Sequence, residues 1–262
     1  MSAAIAFPWR WLLSAPLSGA ENMALDEALM LRARERDECF LRVYTWARPT
    51  LSLGRNQGAR GKYDVARADA LGIDIIRRPT GGRAVLHHRE ITYSVAAPVE
   101  TTGDLRESCR ALNVILLDAL ARMGVAAEIA SPAGRARIPD THPCFGAALA
   151  GEIVAGGRKL VGSAQVREKG VLLQHGSVLI EDDQDLAAEL ALRPAAMGCR
   201  PATLLEQLGR VPVATEFAEA MVAALGTLTG QAVRPLNTDA ALTESAAALR
   251  LKYEGDDWTW RR

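Results

Sequence analysis

Three arginines crowd a glycine turn in Arg77-Arg78-Pro79-Thr80-Gly81-Gly82-Arg83-Ala84-Val85-Leu86-His87, the densest chemical signal in this sequence. Glycines let backbone N–H groups approach a ligand closely, because no Cβ stands in the way. Arginines supply forked donors for phosphate or carboxylate. The plainer reading is a tight hairpin with solvated arginines, and spacing alone does not choose between the two. No GK[ST] follows the turn and no GxGxxG is present, so nucleotide-loop chemistry is unsupported.

The four cysteines, Cys39, Cys109, Cys144 and Cys199, form no CxxC pair and read as reduced thiols. Cys109 falls on the apolar stripe of a helix and Cys39 in a strand, both suited to a core; Cys199 sits in a loop. Cys144 differs. Pro143 precedes it and the polar run RARIPDTH lies just upstream, which argues for an exposed loop. A free thiol is only a few per cent ionised near neutral pH, so a nucleophilic Cys144 needs a neighbour that favours the thiolate. A small buried hydrophobe is its alternative role. His142, two residues away, is one candidate base. His87 and His88 are adjacent and point to opposite faces of a strand. No His, Cys or carboxylate spacing resembles a metal site, and no cofactor is expected.

These residues need elements to hold them. Ser18 and Glu21 form a capping box that opens a helix over NMALDEALMLRARER. CFLRVYTW alternates like a half-buried strand from Cys39 to Trp46, and LSLGRNQ carries a second short strand into a glycine turn. Residues 63–72 predict a short helix closed by Gly72. IDIIRRPTGGRAVLHHREITYSVAAP reads as strand, turn, strand, turn, strand. Leu105, Cys109, Leu112, Leu116, Leu120 and Met123 recur at spacings of three and four, predicting an amphipathic helix over 104–123. Gly–Gly and Lys–Gly turns over 150–180 suit consecutive hairpins, and several helices follow. The pattern predicts a two-layer α+β fold, helices packed on a mostly antiparallel sheet. We place a catalytic domain at 1–210 and a C-terminal helical appendage at 211–262, too small to bury a sizeable core of its own.

Lys plus Arg and Asp plus Glu number 31 each, so no net field draws the chain to nucleic acid or to an anionic membrane. No apolar run reaches the roughly 18 residues of a bilayer span. A soluble, cytoplasmic protein is expected, monomeric by default because no sustained heptad pattern appears.

RRPTGGRAVLHHREITYSV resembles the signature of the lipoate–protein ligase, octanoyltransferase and biotin–protein ligase superfamily. ENMALDEALM, LSLGRNQ, GRKLVGSAQVREKGVLLQHGSVLI and the final WTWRR match in the same order, so the resemblance covers nearly the whole chain. It implies a tunnel for a medium-length acyl chain, lined by Arg77, Arg78, Thr80, Gly81, Gly82 and Arg83 of the turn. His87, Gly162, Ser163, Ala164 and His175 are implied beside it. Some members of the group spend ATP and others do not. Cys144-Phe145 stands where ligases usually carry Asn-Asp, and is similar to the branch that acts on the glycine-cleavage H protein. Arg83 in place of a third glycine, and no large C-terminal accessory domain, point the same way. GAALAGEIV lacks the polar and aromatic residues often found there in that branch. HHRE replaces the His-Asp usual in ligases.

The resemblance thus implies an octanoyl-acyl carrier protein as donor and the H protein or another lipoyl domain as acceptor. Cys144 exchanges one thioester for another of similar energy, and a lipoyl-domain lysine then takes the acyl group as an amide without ATP. Lys159, matched to the family lysine in GRKLVGS, is the implied helper. As an ammonium it favours the thiolate; when neutral it takes a proton from the incoming amine. A solvated hairpin lysine is the alternative. An ATP-dependent lipoate–protein ligase, with Arg77 and Arg78 on an adenylate phosphate, is a second reading of the same pocket. An amidotransferase between lipoyl domains is a third, and a non-catalytic binding module a fourth. Acidic carrier partners imply a basic docking face near Arg77, Arg78 and Arg83.

Overall fold

Helix α1 (Gly19–Arg36) starts where the capping box places it. The Ser18 hydroxyl accepts the Glu21 N–H, and the Glu21 carboxylate accepts the Ser18 N–H. Strand β1 (Trp9–Leu13) precedes it; β2 (Cys39–Tyr44) and β3 (Thr50–Leu53) follow. The computed structural model describes residues 7–102, 104–131, 145, 151–193 and 199–262. Within them the chain continues through α2 (Val65–Ala70), β4 (Asp74–Arg77), β5 (Val85–His87), β6 (Glu90–Pro98), α3 (Val99–Thr102), α4 (Leu105–Arg122) and β7 (Glu128–Ile129). Strands β8 (Ile153–Ala155), β9 (Arg158–Glu168) and β10 (Val171–Leu179) come next. Then come α5 (Asp185–Glu189), α6 (Leu204–Leu208), α7 (Ala214–Thr229), β11 (Arg234–Pro235), α8 (Ala240–Glu254) and α9 (Asp256–Thr259).

The larger sheet has the order β11-β1-β2-β6-β10-β9-β8-β7, and the smaller β4-β3-β5. Pairings are antiparallel except β1 with β2 and with β11, and β3 with β4. The fold is the expected α+β class with a mostly antiparallel sheet. The two glycine turns, Gly156-Gly157 and Lys169-Gly170, close the β8–β9 and β9–β10 hairpins with positive φ at all four residues. The arginine–glycine turn is not a hairpin. β4 and β5 both pair with β3, one on each side, so residues 78–84 cross over the end of β3.

The two faces of the main sheet differ in chemistry. Cys39, Leu41 and Val43 of β2 and Ile91, Val95 and Ala97 of β6 pack with Leu112, Leu116 and Leu120 of α4 and with Phe217 and Met221 of α7. Each large side chain buried there contributes about 1.5–3 kcal/mol relative to exposure. The α4 stripe is shorter than its spacing suggests: Leu105 is 45% exposed and Cys109 half-buried. Segment 211–262 supplies α7 to this core, β11 to the sheet edge, and α8, which packs along α1. On the opposite face, Phe40 and Ala96 meet Ala28 and Leu29 of α1. Towards the other ends of those strands the same face turns polar yet stays buried, with Arg42, Tyr44, Thr92, Ser94, His175 and Ser177. That buried polar half lies beneath the arginine–glycine turn.

Gly54 fixes how the turn sits. A Cβ there would lie 1.9 Å from the Gly82 carbonyl oxygen, and Gly82 itself holds φ at +93°. Backbone cannot yield as a flexible side chain does. Gly54→Ala is therefore expected to lower unfolding stability by about 2 kcal/mol or more, read as a shifted urea midpoint with unchanged slope. Among the described residues no helix is long and apolar enough to cross a membrane.

Candidate active site

A pocket of about 400 Å³, counting the part open to solvent, lies between α1, the arginine–glycine turn and the middle of β9 and β10. Met23, Tyr44, Trp46, Val85 and Thr92 form its walls, with Gly176 and Ser177. Of the residues expected there, Arg78, Gly82, His87, Gly162, Ser163, Ala164 and His175 line it. Thr80 stands one layer behind, fully buried and bonded to His175.

The two adjacent arginines part company, as alternation along a strand requires. Arg78 faces the pocket. Its five N–H groups go to the Ser52 carbonyl and hydroxyl and to the Gly81 and Arg83 carbonyls. It therefore shapes the turn and supplies positive charge, with its donor capacity committed to the protein. Arg77 turns away. It is fully buried, donating to the Thr259, Gly54 and Gln57 carbonyls, and it joins the C-terminal segment to the 54–57 loop. Both arginines are buried, so neither presents its charge at the surface. The exposed arginines nearby are Arg60 and Arg262, with Arg55 and Arg83 half-buried.

Two buried strings hold the polar wall. In one, Arg42 donates to the Asp26 carboxylate at 2.7 Å and to the Asn22 amide oxygen at 2.6 Å. Asp26 also accepts from Tyr44 and Ser94 and lies 3.3 Å from His175 Nδ1, whose Nε2 is 2.6 Å from the Thr80 hydroxyl. Burial pushes the His175 imidazole below its usual range despite the pull of Asp26, so it is neutral at neutral pH. Burial acts on Asp26 in the raising direction, but Arg42, His175 and Ser94 together hold its carboxyl below the usual value. A carboxylate at Nδ1 places the ring proton there and leaves Nε2 to accept from Thr80. In the second string, His87 Nδ1 lies 2.8 Å from Glu90 and Nε2 2.7 Å from the Ser52 hydroxyl, while the ring stacks on Trp46 at 4.0 Å.

Each string has the order carboxylate, imidazole, hydroxyl of a nucleophilic triad. Neither works as one, since Thr80 and Ser52 have no exposed surface and no substrate carbonyl reaches them. They are struts. Both nitrogens of each ring are engaged by protein groups, so His87 and His175 present ring surface to the pocket. His88 is a surface residue paired with Asp183.

Lys159 is the unexpected burial. Its side chain is 1% exposed, and Nζ donates to Glu152 Oε1 at 2.7 Å. Nζ also lies 5.0 Å from the centre of the Phe145 ring, within cation–π range. Phe145 in turn packs against Gly162, where a Cβ would come within 3.0 Å of its ring. Cys144 and His142 lie outside the described residues. Cys39 is fully buried and Cys199 exposed. Among the described residues no group of three metal-binding side chains occurs.

Asn22, Asp26, Arg42, Trp46 and Glu90 belong to the site although spacing did not single them out. A signal existed for the first three. Asn22 and Asp26 are four apart in ENMALDEALM and so share the buried helix face. Arg42 interrupts the otherwise apolar run of β2 on the face of Phe40 and Tyr44.

The sequence matches the lipoyl protein ligase A/B catalytic domain family over residues 18–226. It is 39% identical to octanoyltransferase LipM of Kyrpidia tusciae, covering 97% of this chain and 99% of that relative. In structure it is similar to lipoate-protein ligase A bound with ATP, with a TM-score of 0.81 at 23% identity over 97% of this chain and 99% of that one. A bi-partite lipoate protein ligase with its E2 lipoyl domain from Thermoplasma acidophilum gives a TM-score of 0.75 at 22% identity, covering 97% and 96%. At these identities the two structures speak to the fold.

Proposed function

Because the chain belongs to the lipoyl protein ligase A/B catalytic domain family, we propose that it is an octanoyltransferase of lipoate biosynthesis working through a thioester on Cys144. The donor is an octanoyl-acyl carrier protein and the acceptor a lipoyl-domain lysine, on the glycine-cleavage H protein first. A monomeric state and a cytoplasmic location belong to the same reading. The observation that carries it is the position of Phe145. The residue bonded to Cys144 has its ring against Gly162 of the pocket wall and 5.0 Å from Lys159 Nζ.

The proton count closes with these two side chains. In the resting enzyme Cys144 is a thiolate and Lys159 an ammonium. The thiolate adds to the donor carbonyl, and the C–S bond to the carrier breaks. The departing thiolate takes a proton from Lys159, leaving octanoyl-Cys144 and a neutral amine. The acceptor lysine then adds to the new thioester, Lys159 takes its proton, and the Cys144 thiolate leaves. The amide is more stable than the thioester, so no ATP enters. Two features weigh against the ATP-dependent reading: Arg77 points away from the pocket, and Arg78 has its donors committed to the turn.

Intact mass after mixing with octanoyl-carrier protein, without ATP, tests the proposal. One octanoyl group removable by hydroxylamine is expected. No gain without ATP, with acylation of a lipoyl domain once ATP and free octanoate are added, would make the protein a ligase.

A further inference from the structure

We infer that Glu152 is a positioning residue for the transfer: its carboxylate fixes the Lys159 ammonium against the pocket wall and favours its charged form. The inference rests on the thioester reading above. Lys159 stands on β9, where pairing with β8 slips by one residue between Ile153 and Val154. Such a bulge re-aims neighbouring side chains. Val154 pairs with Lys159, yet Glu152, two residues further along, reaches its Nζ at 2.7 Å.

The backbone that carries this carboxylate is held by three hydrogen bonds. The Glu152 carbonyl accepts the Ala130 N–H beyond the end of β7, and Gly151 donates back to the Ala130 carbonyl. Buried Asn113 of α4 donates to the Gly151 carbonyl at 2.7 Å. On the lysine side, Ala202 donates to the Lys159 carbonyl. An ion pair between fixed backbones helps to keep Nζ in one place at the end of a flexible four-carbon stem. An unpaired ammonium this buried would lose charge, because desolvation disfavours it; an adjacent carboxylate restores the charge. Other titratable groups face this carboxylate. Cys109 of α4 has its thiol pushed up by burial and by Glu152. Beyond it stands Tyr93 of β6, whose hydroxyl bonds Ser163 and Gln174 and is pushed up to about 12 by burial. Neither carries a charge at neutral pH that would substitute for Glu152.

The test is Glu152→Gln in the full chain, with octanoyl-carrier protein as donor and octanoylation of Cys144 followed by mass across pH. Glutamine keeps a hydrogen-bond acceptor and loses the charge. Removing a negative charge lowers the pKa of a thiol and of an ammonium alike, so both limbs of the pH–rate profile are expected to move to lower pH by about one unit. The KM for the donor should stay within twofold, since Glu152 does not line the pocket. Glu152→Ala, which also loses the contact, should lower the maximal acylation rate about tenfold or more, with Glu152→Asp recovering part of it. An unmoved profile in Glu152→Gln would overturn the inference. So would a Glu152→Ala rate that falls only in step with its melting temperature. Either failure leaves the thioester reading intact as long as the wild type acylates at Cys144; absence of the wild-type acyl-enzyme would sink that reading instead.

Discussion

Cys144→Ala is expected to abolish octanoyl transfer, with kcat/KM falling at least about 10⁴-fold, while the protein still folds and still binds its donor. Removing a covalent nucleophile removes both half-reactions at once, and what remains is the uncatalysed attack of an amine on a bound thioester. The folded state should tolerate the change, because the core residue at this point is the neighbour Phe145, 1% exposed beside Val85 and Leu179. Cys144→Ser separates two causes of loss. It restores a heteroatom of similar size whose anion is far harder to form, so a covalent role predicts a Ser variant nearly as inactive as Ala. Transfer by Cys144→Ala within tenfold of wild type, with ATP absent, would refute the thioester mechanism. Loss of transfer together with a full-strength ATP-driven reaction from free octanoate would show that the pocket serves adenylate chemistry.

How much of this was legible beforehand differs element by element, for physical reasons. Ser18 and Glu21 set the start of α1 because a capping box is a local contact four residues wide. The hairpins at Gly156-Gly157 and Lys169-Gly170 are local too, since only positive φ closes such turns. The β4-β3-β5 order was not legible. β3 pairs with β4 across 24 residues and with β5 across 33 to 37, and nothing in RRPTGGRAVLH says that its flanking strands are kept apart. Arg77 and Arg78 have to face opposite ways, yet which one faces the pocket depends on the C-terminal segment that accepts from Arg77. The role of Arg42 was hidden for a similar reason. A charge inside a strand reads as exposed until a partner is known, and its partner Asp26 stands on α1, in another motif. Removing either member of such a buried pair typically costs 3–5 kcal/mol, because the other charge is stranded. Only the family's lysine marks Lys159 in the sequence; its ion pair with Glu152 follows from a bulge that no spacing rule marks.

Lys159→Met is the second large effect, expected to lower kcat/KM by about 10²–10⁴-fold. Methionine matches the length and apolar stem of lysine and removes only the proton carrier. The stability cost should be modest, on the order of 1–2 kcal/mol, because Glu152 is 19% exposed and regains water when its partner is lost. Both half-reactions should slow. Octanoylation of Cys144 slows because the thiolate loses the ammonium that favours it, so its onset should move to higher pH. Transfer to the amine slows because no neighbouring base collects its proton. The histidines do not take over: His87 Nε2 and His175 Nε2 each already meet a buried hydroxyl, at 2.7 and 2.6 Å. Lys159→Arg divides the two roles, since guanidinium stays charged and cannot shuttle a proton near neutral pH. It should form octanoyl-Cys144 faster than Lys159→Met, yet pass the group on no faster. Rapid single-turnover acylation and transfer by Lys159→Met, both within tenfold of wild type, would remove Lys159 from the chemistry and leave it as a buried structural pair.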